Sequence, residues 1–444
     1  MSRPPVYRIR EGLGPESFAI VDLFSGAGGL SEGFRQAGYR IAAGSDVDPD
    51  ACATYALNFP EARTICGDIR EPIVRGALLD AAAGAQLVVG GPPCQAFSQM
   101  RNHSRLIEDP RNALYREFVR IVGELEPMGF VMENVPGLEQ MGAKVQVLED
   151  LGLKGAYRVT AQVLDAADFG VPQTRQRIVF IGVHSSLGVR PPVLSGFGAT
   201  AALSLERRNG NGRVHYEVCG HGELFDFVEP LRDPEDANFV TAQQAIGDLA
   251  PLRPGDKRDE IPLGELPGPS SEYQRRMRVG LGATIMNVSV PRINEDTKIR
   301  LSGLPPGGNY RDLPAGMTAR YLTGQRWGPS NGTGRLGRRH YYAYRRLHPA
   351  FWSWTLNTKA DSVYHYKERR ALSVREFARL QSFPDRFVFT TDPRRGNLPG
   401  RIEGGAGHSR YRQAGNAVPP LLARAIAVSL AKLLTPRRWA RDTI

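Results

Sequence analysis

The residue with the clearest chemical potential in this 444-residue chain is Cys94. It lies in a Pro-Pro-Cys-Gln sequence directly after Gln86–Gly90, an apolar run that predicts a buried parallel strand. The prolines keep this loop out of a helix, and ligands of open α/β sheets bind beyond the carboxyl ends of the strands. The thiol is therefore a candidate nucleophile, although a lone cysteine is more often a small buried apolar residue.

A second strand end carries a candidate acid. Phe130–Pro136 reads FVMENVP, an apolar run that ends in Glu133 and Asn134. Taken alone, this carboxylate suits a solvated loop equally well. With Cys94 after the preceding strand of the sheet, however, the acid and the nucleophile are expected to face one crevice.

A glycine turn near the start of the chain indicates a nucleoside cofactor. In Phe18–Leu30 an apolar strand meets Gly26 and Gly28 before a helical pattern, and glycines allow close backbone approach to a ligand. Asp46 ends the next predicted strand, where dinucleotide folds place an acid for ribose hydroxyls, and Asp68 follows a third. The spacing is not GxGxxG, which disfavours a nicotinamide cofactor.

The elements that position these residues alternate between strand and helix from about residue 15 to 185, which predicts a doubly wound α/β sheet. Pro191-Pro192 marks the point where the chain leaves this sheet. From there to about Val363 the chain is rich in Gly, Pro and Arg and has little helical periodicity, apart from one short helix at Val240–Leu249. Loops are expected at Ser204–Glu223 and Arg253–Ser271.

The last third of the chain contains two predicted helices. Ser373–Gln381 has Ser373 as N-cap and Glu376 three residues later, a capping box. A final helix from Ala417 is expected to return to the first domain. We therefore predict a catalytic domain at 15–190, a small domain at 191–395 that includes the 369–385 segment, and a returning segment at 410–444.

The net charge of +11 is concentrated in the small domain. Residues 301–370 contain twelve Lys and Arg against three Asp and Glu, interleaved with Tyr and Trp. This pattern suits phosphate and stacking contacts with a nucleic acid. A basic solvated surface over an aromatic core is the alternative, and the two are compatible.

Cysteine usage and hydropathy favour the cytoplasm. The four cysteines form no CxxC pair and no zinc spacing, so we expect no metal. There is no signal peptide and no apolar run near 18 residues, so we expect no membrane association. Without an apparent eukaryotic localisation segment, the sequence indicates a prokaryotic enzyme.

Six motifs occur together and in a fixed order. They are DLFSGAGGL, GGPPCQAFS, MENV, QTRQRIVFIG, RALSVREFARLQSFPD and YRQAGNAVPP. The ordered set resembles the C5-cytosine DNA methyltransferase family over nearly the whole chain, from Asp22 to about Ala427. The resemblance implies a Rossmann-like S-adenosylmethionine-dependent sheet with a smaller, mostly irregular and β target-recognition domain.

The resemblance also implies a mechanism. Cytosine C5 is a poor nucleophile, so the Cys94 thiolate would first add to C6 of a flipped-out cytosine. Glu133 would hold the N3 and N4 edge, Arg177 would contact O2, and Arg175 would assist. Methyl transfer from S-adenosylmethionine to C5 is followed by elimination, for which the sequence names no base.

Further positions are assigned by the same resemblance. The residues expected to bind the cofactor are Phe24, Gly26, Gly28, Asp46, Asp68, Ile69, Pro92, Leu114, Asn416 and Val418. Many relatives carry Glu-Trp where this chain has Asp46-Val47. The Gln95–Arg111 loop is expected to close over DNA, with contacts from Ser98, Arg101 and Arg105.

The expected partner is double-stranded DNA, with the specificity in the central insert. GLPPGGNY (Gly303–Tyr310) and Leu347–Tyr364 are the segments expected to contact bases. A cognate restriction endonuclease acting on the same site is a further expected partner, and a monomer is expected. Three alternatives are an RNA cytosine-5 methyltransferase, an inactive DNA-binding regulator of the same fold and a nicotinamide oxidoreductase.

Overall fold

The computed structural model describes most of the chain. The described residues are 5–7, 14–93, 113–140, 144–196, 203–207, 214–218, 224–225, 239–249, 251–254, 258–309, 312–313, 317, 345–392, 394 and 408–435. Cys94 and the Gln95–Arg111 loop lie outside these ranges.

The chain builds one large sheet from its first seven strands. They are β1 (Ala19–Leu23), β2 (Arg40–Asp46), β3 (Arg63–Cys66), β4 (Leu87–Gly90), β5 (Gly129–Asn134), β6 (Tyr157–Asp165) and β7 (Gln176–His184). Their spatial order is β3-β2-β1-β4-β5-β7-β6. The first five pair in parallel, and β7 lies antiparallel to both β5 and β6. The predicted α/β sheet is confirmed.

Helices cover both faces of this sheet. Those between the strands are α1 (Gly29–Gln36), α2 (Pro49–Asn58), α3 (Pro72–Ala82), α4 (Ala113–Leu125), α5 (Gly137–Gln140) and α6 (Lys144–Leu151). Alternate strand residues point to opposite faces, so neighbours such as Val88 and Val89 enter different cores. Val88 packs in a cluster with Phe118 of α4, and Val89 in a cluster with Phe34 of α1.

Two helices near the end of the described chain complete the second face. They are α11 (Ser409–Asn416) and α12 (Pro420–Leu434). A Cβ on Gly33 would lie 2.4 Å from the Ala423 Cβ, so glycine allows α1 and α12 to touch. Helix α12 thus packs directly on α1, which lies on one face of the first sheet.

One stretch of the described chain, Ser409–Leu434, is long and apolar enough to cross a membrane by length and composition. The sequence analysis did not expect such a run. The apolar window is 61% buried within the fold, which is the behaviour of a core helix and explains its composition without a membrane.

The central segments contain more regular structure than the sequence indicated. Their elements are β8 (Leu203–Arg207), β9 (Val214–Val218), β10 (Leu224–Phe225), α7 (Ala242–Ile246), β11 (Glu260–Pro262), α8 (Glu272–Met277), β12 (Thr284–Met286) and α9 (Glu295–Ser302). The expectation of a loop over Ser204–Glu223 was wrong, because β8, β9 and β10 form an antiparallel sheet. The apolar residues of β8 and β9 alternate, a strand signal obscured by the Gly- and Asn-rich sequence between these two strands.

The other central expectations were partly wrong. Arg253–Ser271 contains β11, which pairs with β12. The helices α8 and α9 are short and polar, and they begin at the side-chain caps of Ser271 and Asn294 rather than from an apolar stripe. Short 3₁₀ turns lie at Pro15–Ser17, Leu153–Gly155, Ala166–Phe169, Ser185–Leu187, Gly247–Leu249, Leu263–Glu265 and Ala360–Ser362.

Helix α10 (Val374–Leu380) is buried along its whole length although it carries two arginines and a glutamate. The capping box of Ser373 and Glu376 is present as predicted. Arg370 donates two hydrogen bonds of 2.7 Å to Glu376, and Arg379 forms ion pairs of 2.6 and 2.7 Å with Asp248 and Asp385. Such pairing is what allows charges to be buried.

Candidate active site

A cavity of about 730 Å³ opens at the carboxyl ends of β1, β2, β4 and β5. This is the position that the strand-end argument predicted. The sequence-assigned residues that line it are Phe24, Gly26, Asp46, Asp68, Ile69, Pro92, Leu114, Glu133, Arg175, Arg177, Asn416 and Val418. Gly28 is not among the lining residues. A Cβ there would lie 2.4 Å from the Phe59 ring, so this glycine packs the turn onto α2.

The glycine turn holds its shape through Asp46. Phe24, Gly26 and Gly28 have positive φ angles of 57°, 53° and 99°, a conformation that favours glycine and is uncommon for phenylalanine. The Asp46 carboxylate accepts hydrogen bonds from the backbone N–H groups of Gly26 (2.8 Å) and Asp48 (2.9 Å). Burial raises the pKa of Asp46, while these donors act in the opposite direction.

Behind the turn lies a second acid, Asp22, which is fully buried. Its Oδ2 accepts from the Ser31 backbone N–H (3.2 Å) and hydroxyl (2.7 Å), and its Oδ1 has no hydrogen-bond partner among the described residues. Burial raises the pKa of Asp22 to about 7, with a smaller contribution from Asp46.

The opposite wall of the cavity contains Asp68 and Ile69. Arg70 lies on the same stretch and binds both Asp68 carboxylate oxygens, at 2.9 and 3.0 Å from its Nε. The Arg70 guanidinium lowers the pKa of Asp68 to about 2. Ile69 is buried, so this wall combines an apolar side chain with the Asp68–Arg70 ion pair.

Glu133 and Arg177 form an ion pair on the far side of the cavity. The Arg177 Nε lies 2.5 Å from the Glu133 Oε1, and both side chains are only 12–13% exposed. Strands β5 and β7 are adjacent and antiparallel, which brings the end of one beside the start of the other. Glu133 of MENV and Arg177 of QTRQR therefore meet directly.

Arg175 lines the same cavity but has different partners. Its side chain is 2% exposed, and it donates to the backbone carbonyls of Leu356 (3.3 Å) and Gly415 (2.8 Å). Burial, and then the neighbouring Arg177, lower the pKa of Arg175 to about 9. Both arginines line the cavity, and they differ in their contacts.

The Pro-Pro loop is fixed from β5. Asn134 donates to the Pro92 carbonyl (3.2 Å), and a Cβ on Gly91 would lie 3.0 Å from the Glu133 Oε2. The loop that leads to Cys94 thus begins in contact with Glu133 and Asn134 at the end of β5. Cys94 itself, Ser98, Arg101 and Arg105 lie outside the described residues.

Sequence reasoning missed a polar pair at the rim of the cavity. Arg412 and Asp48 line it and are joined by a hydrogen bond of 2.7 Å, which connects α11 to the start of α2. Arg412 lies within the YRQAGNAVPP motif, so the signal was present, but pairing with Asp48 depends on a contact 364 residues away in sequence.

Metal ligation was not expected from the sequence. Among the described residues, no group of three or more His, Cys, Asp or Glu side chains is arranged to hold a metal ion.

An open α/β sheet whose strand-end cavity is lined by a glycine turn, the acids Asp46 and Asp68 and the Glu133–Arg177 ion pair has the arrangement of an enzyme that binds a nucleoside cofactor. Residues 18–219 and 294–432 match the family of C-5 cytosine-specific DNA methylases. The chain belongs to this family and is a DNA (cytosine-5)-methyltransferase. Residues 220–293, between the two matched ranges, lie in the central insert, which contains none of the six motifs.

Curated relatives agree with this assignment. The chain is 31% identical to the type II methyltransferase M1.HphI of Haemophilus parahaemolyticus, over 94% of this chain and 88% of the relative. It is also 31% identical to the type II methyltransferase M.AgeI of Thalassovita gelatinovora, over 92% and 98%.

A solved structure supports the fold. An Escherichia coli prophage protein described as a DNA modification methyltransferase matches with a TM-score of 0.62 and 23% identity, over 94% of this chain and 99% of that one. The family decides against the nicotinamide oxidoreductase and the RNA methyltransferase considered from the sequence.

Proposed function

We propose that this enzyme methylates one fixed duplex DNA sequence, as the modification partner of a restriction endonuclease. The observation that carries the chemical part is the Glu133–Arg177 ion pair, which lies in the cavity wall beside the Pro-Pro loop that leads to Cys94. The restriction–modification role rests on relatives that are type II methyltransferases.

Cys94 is the proposed nucleophile. Addition of its thiolate to C6 of cytosine makes C5 enamine-like and able to accept a methyl group. Loss of the C5 proton and elimination of the thiol then restore the ring and the enzyme. Removal of the C5 proton needs a general base, and an ordered water serves as well as a side chain.

Glu133 and Arg177 are proposed to bind the edge of the flipped-out cytosine. Glu133 contacts N3 and the N4 amino group and supplies a proton at N3, which stabilises the charge that develops on thiolate addition. Arg177 contacts O2. In the described state they bind each other, so the incoming base must replace this contact with its own polar edge. Arg175 assists indirectly, because its Nη1 and Nη2 both donate to backbone carbonyls.

The cavity fits S-adenosylmethionine as the methyl donor. Its volume of about 730 Å³ lies within the range of about 300–1,000 Å³ that small-molecule sites occupy. Bound there, S-adenosylmethionine supplies an electrophilic methyl group. The side chains proposed to hold it provide apolar surface from Phe24, Ile69, Leu114 and Val418, and polar groups from Asp46, Asp68 and Asn416. Gly26 and Pro92 complete the set, while Gly28 shapes the turn beneath it.

The remaining proposals concern DNA and organisation. Ser98, Arg101 and Arg105 contact the DNA backbone when their loop closes, and the basic, aromatic segment at 301–370 provides further phosphate and base contacts. The catalytic domain comprises 15–190 and 410–444, with the recognition domain at 191–395. The packing of α12 on α1 supports this division. The enzyme acts as a monomer in a prokaryotic cytoplasm.

Transfer of labelled methyl from S-adenosylmethionine to unmethylated duplex DNA, followed by bisulfite sequencing, tests the proposal. Methylation at one fixed motif is the expected result, with none in Cys94→Ser. Methylation spread over many sequences would refute the specificity. Tight DNA binding with no transfer would instead support the inactive regulator.

A further inference from the structure

Arg175, which lines the cavity, belongs to a closed ring of buried hydrogen bonds. The Gln381 Nε2 donates to the Gly415 carbonyl (3.3 Å), which also accepts from the Arg175 Nη2 (2.8 Å). The Arg175 Nη1 donates to the Leu356 carbonyl (3.3 Å), and the Leu356 N–H donates to the Gln173 Oε1 (2.8 Å). The Gln173 Nε2 donates to the Gln381 Oε1 (3.0 Å), which closes the ring.

The ring joins three segments that have different proposed tasks. Gln173 and Arg175 precede β7 and Arg177, Leu356 lies in the basic aromatic segment, and Gly415 directly precedes the cavity residue Asn416. Gln381 follows α10 and bridges two of these segments. It also donates to the Ala414 carbonyl at 2.8 Å.

The ring excludes water and tolerates little displacement. Gln173 and Gln381 are 0% exposed, and Arg175 and Leu356 are 2% and 1% exposed. A Cβ on Gly415 would lie 1.9 Å from the Asn357 carbonyl oxygen, so the cofactor-side helix and the segment around Leu356 are in direct backbone contact. A shift of either segment breaks buried hydrogen bonds, which are costly to leave unmade.

We propose that Gln381 is a positioning residue that couples cofactor binding to DNA binding. This proposal rests on the proposed function, because it takes Asn416 as a cofactor contact and the segment around Leu356 as a DNA contact. When the cofactor contacts Asn416 at the end of α11, the ring holds Leu356 and its neighbours in the DNA-competent position. By linkage, DNA tightens cofactor binding by the same factor.

The side chain of Gln381 is suited to this task because an amide donates and accepts at once. Its oxygen accepts a hydrogen bond from Gln173, which lies just before β7, and its nitrogen donates to the Ala414 carbonyl of α11. Methionine has a similar volume and can do neither. Gln381→Met therefore removes the bridge and preserves the packing.

Gln274→Met is the matched control. Gln274 is also 0% exposed, and its amide donates to the Gln243 carbonyl (3.2 Å) and accepts from the Ser270 N–H (2.7 Å). It lies in α8 and does not line the cavity described above. The two variants thus lose comparable buried hydrogen bonds, but only Gln381→Met removes hydrogen bonds of the ring.

The experiment measures binding of S-adenosylhomocysteine by calorimetry and of a duplex carrying the mapped methylation motif by fluorescence anisotropy, each with and without the other ligand. For wild type and Gln274→Met we expect each ligand to tighten the other by about tenfold or more, and for Gln381→Met by less than about twofold. Equal coupling factors in all three proteins, or no coupling in wild type, would overturn the proposal.

Hydrogen exchange in the wild type provides a second test that needs no variant. Adding S-adenosylhomocysteine should slow exchange of the Leu356 amide, which donates within the ring. Unchanged exchange with the ligand bound overturns the coupling and leaves the proposed function intact. Failure to bind S-adenosylhomocysteine at all overturns both.

Discussion

The Glu133 carboxylate and the Arg177 guanidinium meet at 2.5 Å across two antiparallel strands, in the wall of the strand-end cavity. The pair satisfies both charges in a site that is mostly closed to water. A cytosine presents a carbonyl oxygen for the arginine, and a ring nitrogen and an amino group for the acid. The base can therefore replace each partner of the pair with a complementary group, which keeps the cost of opening it low.

Glu133→Gln should lower kcat by a factor of about 10²–10⁴, because an amide cannot supply the N3 proton. Duplex binding should change little, since a glutamine can still accept a hydrogen bond from Arg177. Single-turnover transfer of labelled methyl is the measurement. Glu295→Gln is the control, because Glu295 is an exposed residue that pairs with Lys298 on α9. More than a tenth of wild-type kcat in Glu133→Gln would remove this residue from the proposed mechanism.

Asp22 should make stability depend on pH. Burial raises its pKa in the folded state to about 7, so the native protein retains a proton that the unfolded chain releases. The stabilisation is complete below about pH 4 and is lost as the pH rises to about 7, by roughly 3–4 kcal/mol in total. Asp22→Asn should lack this dependence. The free energy of unfolding in urea is measured for wild type and for Asp22→Asn at pH 4.5 and at pH 7.5. The stability of wild type relative to the variant should fall between the two pH values. A difference that grows in favour of wild type with pH would contradict it.

Gly415→Ala should destabilise the fold by about 2–3 kcal/mol or more and reduce activity, because its Cβ would lie 1.9 Å from the Asn357 carbonyl oxygen. Gly76→Ala is the counterpart within α3. Apart from its chain neighbours and the backbone of its own helix, no heavy atom of the described residues lies within 4 Å of its added Cβ, so it should be neutral or stabilising by about 0.5–1 kcal/mol. Thermal unfolding compares the two. Equal shifts would show that the close approach at Gly415 does not constrain the chain.

Arg379→Met should cost about 3–5 kcal/mol, since it leaves Asp248 and Asp385 buried without their shared partner. In the native fold burial opposes ionisation of Arg379, but the two carboxylates outweigh it and raise its pKa. Arg258→Met removes an exposed ion pair with Glu265 and should change stability by less than about 1 kcal/mol. Urea unfolding of both variants measures the contrast. Similar losses would mean that the buried pairs contribute no more than the surface pair.

The sequence predicted the sheet and the main cavity well because both depend on local signals. Apolar runs locate β1, β4 and β5, and the polar residues that end them lie at one edge of the sheet by geometry alone. The capping box at Ser373 is similarly local, with both its hydrogen bonds within four residues. These features need no knowledge of distant parts of the chain.

The features that were missed are those set by distant contacts. The partners of Arg175 are backbone carbonyls 181 and 240 residues away, and nothing in QTRQR separates its role from that of Arg177. Likewise the burial of α10 depends on Asp248, which lies in a different segment. The strands β8 and β9 were missed because turn-forming residues dominate the composition of that interval.

The most direct test of the central claim uses a duplex in which the target cytosine is replaced by 5-fluorocytosine. Fluorine at C5 cannot leave as a proton, so the enzyme should stop after methyl transfer with the Cys94 Sγ–C6 bond intact. We expect a denaturation-resistant protein–DNA adduct in the presence of S-adenosylmethionine, with its mass located on the peptide that contains Cys94, and no adduct with Cys94→Ser. An adduct on another residue, or methyl transfer by Cys94→Ser at the wild-type rate, would contradict the proposed mechanism.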